Sequence, residues 1–188
     1  AAVERAVFDA AGLVGDFDKP RFVNFDAGLC AHGRNRRTGC TRCLDLCPTG
    51  AIAPGKDSVE ISAEICAGCG ACSAVCPTGA VTYALPPPAS TAARLRALLL
   101  GFAEAGGRDP IVLLHDDAHG EALLHALARH GDGLPARVLP LRVNEVSQLD
   151  LGALAGALAW GAAGVRLLLP SRRPHGAEGV FRNLDYLE

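Results

Sequence analysis

Residues 66–77 read Cys66-Ala-Gly-Cys69-Gly-Ala-Cys72-Ser-Ala-Val-Cys76-Pro77, and this stretch decides how the first half of the chain folds. Its cysteines have the spacing C-x2-C-x2-C-x3-C-P. A second run, Cys40-Thr-Arg-Cys43-Leu-Asp-Leu-Cys47-Pro48, lies upstream, and each of its cysteines precedes its counterpart by 29 residues. The match continues through Pro48–Ile52 and Pro77–Val81. The sequence therefore predicts an internal duplication with two similar loops.

The first copy lacks a cysteine at the position that corresponds to Cys66, because Arg37 stands there. Cys30 lies seven residues earlier, and the segment 25–30 aligns loosely with the segment 61–66. The first copy then has the spacing C-x9-C-x2-C-x3-C-P, with a seven-residue insertion in its loop. This interpretation uses all eight cysteines of the chain.

The spacing of these thiols suits cubane iron–sulfur clusters. Three cysteines at x2 spacing let a short loop wrap three corner irons, whereas the fourth, three residues further on, turns away toward a different cluster. The proline after it prevents the chain from continuing as a helix. Small residues between the cysteines let backbone N–H groups approach the cluster sulfurs. Two [4Fe–4S] clusters are the expected cofactors.

Residues 21–84 resemble a two-cluster bacterial-type ferredoxin domain, a family in which the fourth cysteine of each run crosses to the other cluster. The resemblance implies electron transfer within a larger oxidoreductase system, without catalysis by this chain itself. His32 is an alternative ligand if Cys30 is not one. The implied ligands are Cys30, Cys40, Cys43 and Cys76 for cluster one, and Cys66, Cys69, Cys72 and Cys47 for cluster two.

Composition narrows the class of protein. The net charge of −2 implies no general attraction to nucleic acid or to a membrane. The longest uncharged apolar run, residues 151–165, is shorter than the roughly 20 residues of a membrane-spanning helix. All cysteines lie between residues 30 and 76, whereas a disulfide scaffold would spread its bridges. The chain starts without the pattern of a signal peptide, so we expect a reducing cytoplasm.

The expected fold is an α+β ferredoxin-like dicluster domain followed by a small α/β domain. The segments are a helical extension at 1–20, the dicluster domain at 21–85, a proline-rich linker at 86–90, the α/β domain at 91–170 and a C-terminal tail at 171–188. In the dicluster domain, strand 21–25 should pair with 81–83, and 51–52 with 59–61. Such a small domain has little apolar core, so the clusters should stabilise it.

The α/β domain is expected to be a helix followed by β-α-β-α-β, a Rossmann-like parallel sheet. Its strands are predicted at 111–115, 137–143 and 165–169, with Pro140 indicating an edge strand. We expect Ser90 or Thr91 to cap the first helix, and residues 147–150 to cap the last. Leu123, Leu124 and Leu127 should face inward. The tail, further chain or a partner should cover the open sheet edges.

Two weaker resemblances indicate partners. Segments 143–146 and 162–165 resemble the delta-subunit module of methyl-viologen-reducing hydrogenase, although that module holds cysteine ligands for a [2Fe–2S] cluster and this domain has none. The loop from Cys30 to Cys40 resembles large proteobacterial ferredoxin-like proteins associated with molybdenum formate dehydrogenases. Both imply a redox partner protein, such as a formate dehydrogenase or another reductase.

Other interpretations stay open on the residues alone. Paired C-x2-C motifs also bind structural zinc, and the basic loop with Arg34, Arg36, Arg37 and Arg42 could then touch nucleic acid. Otherwise this loop is a solvated surface, a docking patch for an acidic partner or a local positive field at cluster one. Residues His115 to His119 could form an enzyme or metal site, although aspartates at a strand-to-helix turn are usually caps.

Overall fold

The computed structural model describes residues 2–16, 18–34 and 37–187 of the 188-residue chain. Helix α1 (Ala2–Ala11) begins the chain, and the Gly12 amide donates to the Phe8 and Asp9 carbonyls where the helix ends. The helix has no buried residue, and its apolar side chains Val3, Val7 and Phe8 are exposed. The predicted helix is therefore present, but it contributes nothing to the core.

The cysteine-containing half is built on two small antiparallel pairs of strands. Strand β1 (Val23–Phe25) pairs with β4 (Val81–Tyr83), and β2 (Ile52–Pro54) pairs with β3 (Val59–Ile61), as predicted. Short helices α2 (Arg42–Leu46) and α3 (Ala71–Ala74) begin shortly after Cys40 and Cys69, respectively. The core between them is small. Its buried members are Cys30 and three aliphatic residues, Ile52, Val59 and Ala80.

The second half is a parallel three-stranded sheet between helices. It comprises α4 (Pro88–Glu104), β5 (Ile111–His115), α5 (Ala122–His130), β6 (Val138–Arg142), α6 (Leu151–Ala159) and β7 (Gly164–Leu168). The strand order is β6-β5-β7, which places Pro140 in an edge strand as expected. Val112 and Leu114 of the central strand lie in one core with Leu95 and Leu99 of α4 and with α6.

Helix α5 corrects one expectation. Leu123, Leu124 and Leu127 were expected to face inward, yet α5 has no buried residue, and Leu123 and Leu127 are 46% and 38% exposed. One right-handed crossover runs from the central strand β5 to the edge strand β6, and the next runs back from β6 past β5 to β7. Because the two crossovers run in opposite directions, their helices lie on opposite faces of the sheet. Helices α4 and α6 share one core, whereas α5 lies on the other face and has no buried residue.

The helix caps also differ from those expected. Helix α4 begins at Pro88, inside the segment expected to be a linker, so the cap lies at Pro87 and not at Ser90 or Thr91. A proline at the first position has the helical φ preset and lacks an N–H that would be unpaired there. Helix α6 is capped by Asp150, whose Oδ1 accepts from the Ala153 amide at 2.7 Å, while Ser147 lies in a preceding 3-10 turn.

The expected tail is a structural element that joins the two halves. Helix α7 (Ala177–Asp185) buries Ala177, Gly179, Val180 and Asn183. Val180 belongs to the core of the sheet, whereas the Asn183 side chain donates to the Ala74 carbonyl of α3 at 2.9 Å and to the Leu149 carbonyl at 3.2 Å. Because α7 packs on both halves, they share one continuous interface.

Candidate iron–sulfur site

All eight cysteines are free thiols, and five of them, Cys30, Cys43, Cys47, Cys72 and Cys76, belong to or pack against the core of the cysteine-containing half. Cys30 is buried, and the other seven are half-buried. No pair forms a disulfide among them, so each sulfur is available as a metal ligand. A thiolate is the form that binds iron, and the groups around each sulfur determine how readily its thiol ionises.

The last cysteine of each run has the same surroundings in both copies. The Sγ of Cys47 lies 3.6 Å from the Thr49 hydroxyl, and that of Cys76 lies 3.7 Å from the Thr78 hydroxyl. Burial opposes ionisation of both thiols, but hydrogen bonds outweigh it and lower the pKa of each. For Cys76 these include the Val81 amide, which donates to Sγ at 3.4 Å. The duplicated sequence therefore folds into a duplicated sulfur-binding turn, which a thiolate ligand needs.

The middle cysteines are surrounded by other thiols. Burial, followed by the charges of Cys40, Cys76 and Cys30, raises the pKa of Cys43 to about 11, although a backbone hydrogen bond lowers it. Cys43 therefore lies near one cysteine of the other copy. The thiols that act on Cys43 in this way are those of Cys40, Cys76 and Cys30.

The second copy shows the reciprocal arrangement. Burial, followed by the charges of Cys69, Cys66 and Cys43, raises the pKa of Cys72 to about 12. Burial also raises the pKa of Cys69, against a hydrogen bond from the Ala71 amide, and the charges of Cys47 of the first copy and of Cys66 raise it further. Cysteines of each run therefore interact with cysteines of the other: Cys43 with Cys76 and Cys72, and Cys69 with Cys47. The assignment of these eight residues as ligands itself stays a prediction.

A cavity is lined by cysteines from both runs. Gly68 and Gly70 form part of its wall, and their φ angles of +80° and +75° fold the loop between the cysteines tightly. A side chain at Gly68 would meet the Phe22 ring at 2.7 Å, so glycine is required there. The sulfur-bearing residues of the cavity wall are Cys47, Cys66, Cys69 and Cys72.

The residues present fit a [4Fe–4S] cluster in this cavity. Four thiols line it, glycines let the backbone approach it, and the Cys47 thiol is held in a position that favours its ionised form. Within residues 2–16, 18–34 and 37–187, no three His, Cys, Asp or Glu side chains converge closely enough to hold a single metal ion. A cubane does not require such convergence, since each thiolate binds a different corner iron.

The inserted loop closes into a small hairpin. The Cys40 amide donates to the Ala31 carbonyl at 3.2 Å, and the Gly39 amide donates to the His32 carbonyl at 2.7 Å. His32 is buried, and its Nδ1 lies 2.9 Å from the Cys40 carbonyl oxygen. The backbone on the two sides of the loop is therefore paired, and this keeps Cys30 close to Cys40. His32 occupies the neck of this hairpin with one ring nitrogen bonded to the backbone.

The basic loop lies at the surface. Arg34, Arg37 and Arg42 are exposed, and Arg42 lines the same groove as Cys76. Asn35 and Arg36, which belong to the predicted arginine patch, lie outside the described residues. Three positive side chains are therefore available to a partner on the side of the first copy.

The segment from His115 to His119 forms a capped turn. Asp116 Oδ1 accepts from the His119 amide at 2.8 Å and from the Gly120 amide at 2.7 Å, at the start of a single π-helical turn. His115 is buried, with Nδ1 2.9 Å from the Asp116 carbonyl oxygen. These contacts are those of a helix N-terminus, as expected for aspartates at such a turn.

Sequence reasoning missed the contacts that the second half makes with the cysteine loop. Ser147 Oγ donates to the Cys69 carbonyl at 2.5 Å, and Asn144 Nδ2 donates to the Tyr83 hydroxyl at 2.6 Å. Tyr83, in turn, donates to the Gly68 carbonyl at 2.8 Å. The available signal was the run of small residues in α3, which leaves room for a neighbour, but it does not say which neighbour.

The comparisons with known proteins agree with the cysteine arrangement. Residues 36–80 match the family described as 4Fe-4S dicluster domain. The chain contains a 4Fe–4S dicluster domain. Seven of the eight cysteines lie in the matched range of this domain, and Cys30 precedes it. Searches of curated proteins and of solved structures gave no match.

The dicluster domain supports iron–sulfur electron transfer as the general activity of the chain. No helix formed by the described residues is both long and apolar enough to cross a membrane.

Proposed function

We propose that this chain relays single electrons between redox proteins through two [4Fe–4S] clusters, as part of a larger oxidoreductase system. Each cluster, when bound, accepts and releases one electron. The observation that carries the proposal is that cysteines of one run interact with cysteines of the other. Cys43 has Cys76 as a neighbour, and Cys69 has Cys47. The proposed ligands are Cys30, Cys40, Cys43 and Cys76 at site one, and Cys66, Cys69, Cys72 and Cys47 at site two.

The protein's own residues would hold the sulfurs in place and limit their contact with water. The amide and hydroxyl donors around Cys47 and Cys76 stabilise the ionised form of each sulfur. The crossed ligands tie the two sites together, and this keeps the electron path between them short. No proton transfer is required of the chain.

We further propose that the partner docks at the arginine side of site one. Arg34, Arg37 and Arg42 form an exposed positive surface there, which suits a partner with an acidic face. A formate dehydrogenase or another reductase is the partner class that the loop resemblance favours. A reducing cytoplasm suits eight unpaired thiols.

The decisive experiment is anaerobic purification followed by iron, sulfide and zinc analysis of one sample. Two cubanes require about eight irons and about eight sulfides per chain, with visible absorption that dithionite bleaches. Zinc without sulfide would overturn the proposal and favour a structural zinc module. A chain with about four irons would reduce the proposal to a single cluster.

Cys30 lies outside the matched family range, so its role as a ligand needs its own test. Cys30→Ala should lose one cluster or convert it to a three-iron form, because one corner iron loses its thiolate. His32→Ala is the matched control: it should weaken the hairpin neck but keep the iron content. Both are measured by iron analysis and by electron paramagnetic resonance (EPR). Unchanged iron in Cys30→Ala, with loss in His32→Ala, would reassign the ligand to His32.

A further inference from the structure

The segment 144–148 of the second half lies directly against the loop of site two. Ser147 is buried, and its hydroxyl donates to the carbonyl of Cys69 at 2.5 Å. Asn144 donates to the Tyr83 hydroxyl, which donates to the Gly68 carbonyl. Two successive peptide groups of the site-two loop are thus held by side chains that depend on this segment.

The approach between the two backbones is also close. A Cβ at Gly70 would lie 2.5 Å from the Cβ and 2.8 Å from the Cα of Gln148. Gln148 is 6% exposed, and its Oε1 is buried with no hydrogen-bond partner among the described residues. Gln148 and Gly70 are therefore in direct contact, and a partly buried charge on this segment is screened less than one in water.

Glu145 supplies such a charge. It is half-buried and immediately precedes the 3-10 turn that carries Ser147. Burial raises the pKa of Glu145, and the charges of Asp116 and Asp117 raise it further. Among the described residues, Glu145 forms no ion pair with a lysine or arginine. Its negative charge also contributes to the raised pKa of Cys69, which places it within electrostatic reach of site two.

The basic residues near site two are already balanced. Arg21 lines a groove together with Glu64 and Cys66, and the charges of Arg21 and Lys19 help to lower the pKa of Glu64 after its own hydrogen bonds. Lys19 Nζ also donates to the Glu64 carbonyl at 2.6 Å. Among the described residues, Glu145 is therefore a negative charge near this site that no lysine or arginine pairs with.

Site one has the opposite surroundings. Arg34, Arg37 and Arg42 lie on its side of the molecule, and Arg42 lines the groove of Cys76. The acidic residue nearest in sequence, Asp45, is exposed and accepts a hydrogen bond from Thr41 at 2.8 Å. Site two thus has a half-buried negative charge nearby, whereas site one has exposed positive charges.

We infer that segment 144–148 is an outer layer of site two, in which Ser147 positions the Cys69 backbone and Glu145 lowers the reduction potential of that site below that of site one. This inference rests on the proposed function, since it requires a cluster at each site. A negative charge disfavours the reduced form of a nearby centre, and a positive charge favours it. One electron would then pass from site two to site one, toward the arginine surface, with no bond broken and no proton moved.

The test is an anaerobic redox titration of the full chain, followed by EPR, in the wild type and three variants. Glu145→Gln should shift one of the two midpoint potentials to a more positive value and leave the other in place. Arg42→Gln should shift the other midpoint to a more negative value. Glu121→Gln is the matched control, since Glu121 is an exposed carboxylate of the same half that pairs with Arg142 at 2.9 Å. It should change neither midpoint.

The outcomes separate this inference from the function on which it rests. Iron and sulfide are measured in every sample, so a wild type without clusters would overturn the proposed function and the inference together. Two clusters with no change in Glu145→Gln, or a shift of the same midpoint by Glu145→Gln and Arg42→Gln, would overturn the inference alone. Ser147→Ala tests whether Ser147 positions the Cys69 backbone. It should broaden or shift the EPR signal of the cluster whose midpoint potential Glu145→Gln changes.

Discussion

The two short helices that carry Cys43 and Cys72 come from duplicated sequence, but they have different surroundings. In α2 the residues beside Cys43 are Arg42, Leu44 and Asp45, and the two charged side chains are exposed. In α3 the corresponding residues are Ala71, Ser73 and Ala74, and all three are buried. The duplication therefore preserves the sulfur-binding turns, whereas the outer faces of the two copies have diverged.

The small residues of α3 are what allow the second half to pack on it. A Cβ at Gly179 of α7 would lie 2.7 Å from Val75 Cγ1, and one at Gly176 would collide with the Ala71 side chain. Arginine and aspartate at these positions, as in α2, would keep α7 away. One copy is therefore covered by the second half of the chain, whereas the other presents charged side chains at the surface.

Removal of iron should produce the largest difference between the two halves. The cysteine half has four buried apolar residues in its core, whereas the core of the sheet includes Leu95, Leu99, Val112, Leu114 and Leu154 among its buried members. Chelation should abolish amide protection in 23–25 and 81–83, while 111–115 should lose less than about tenfold.

Hydrogen exchange with mass spectrometry on the holo and chelated protein measures this contrast. Reconstitution with iron and sulfide is the control and should restore protection at 81–83. Equal loss of protection in both halves would mean that the sheet depends on the clusters as strongly as the cysteine half does.

A glycine substitution should sharpen the comparison at a single position. Gly70→Ala places a methyl group 2.5 Å from the Gln148 side chain at a φ of +75°, so it should destabilise the holo protein by roughly 3 kcal/mol or more. Gly79→Ala is the control, because φ is +69° and a Cβ there meets nothing within 4 Å. It should cost about 1 to 2 kcal/mol, the steric penalty of the left-handed conformation.

Anaerobic urea titration, followed by loss of cluster absorbance, compares these two variants with the wild type. Gly50→Ala serves as a second control in the other copy, since Gly50 also has a φ of +69° and open space around it. If Gly70→Ala were no worse than Gly79→Ala, the close contact with Gln148 would not contribute to holding site two.

The strands of the cysteine half could be predicted because the spacing of its cysteines and its internal repeat indicate the type of domain. The resemblance to a two-cluster ferredoxin domain predicted the pairing of β1 with β4 and of β2 with β3, and both are present. Parallel strands also follow from apolar runs separated by helices. These features are local or periodic, so a single sequence displays them.

The interface between the halves could not be predicted, because it depends on pairs of residues far apart in the chain. Asn183 and Ala74 form a hydrogen bond across 109 positions, and Ser147 and Cys69 across 78. Leu123 and Leu127 show the reverse failure: their helical spacing predicts burial, but both side chains are exposed. Periodicity indicates which residues share a face and not what lies opposite that face.

Alkaline pH should produce the smallest effect, confined to the interface. Burial raises the pKa of Tyr83 from 10.0 to about 12, against hydrogen bonding from Asn144, which lowers it. A raised folded-state pKa means that the stabilisation is complete below pH 10 and is lost as the pH rises toward about 12. The holo protein should therefore lose stability between these values.

The variant Tyr83→Phe separates this group from others that titrate in the same range. It removes the hydroxyl that links Asn144 to the Gly68 carbonyl, so the variant should be less stable than the wild type below pH 10. Above pH 10 its urea midpoint should fall less steeply than that of the wild type, because no phenol remains buried at position 83. Parallel curves for the two proteins across this range would assign the alkaline loss to another group, and equal midpoints below pH 10 would show that the link from Asn144 to the Gly68 carbonyl does not contribute to stability.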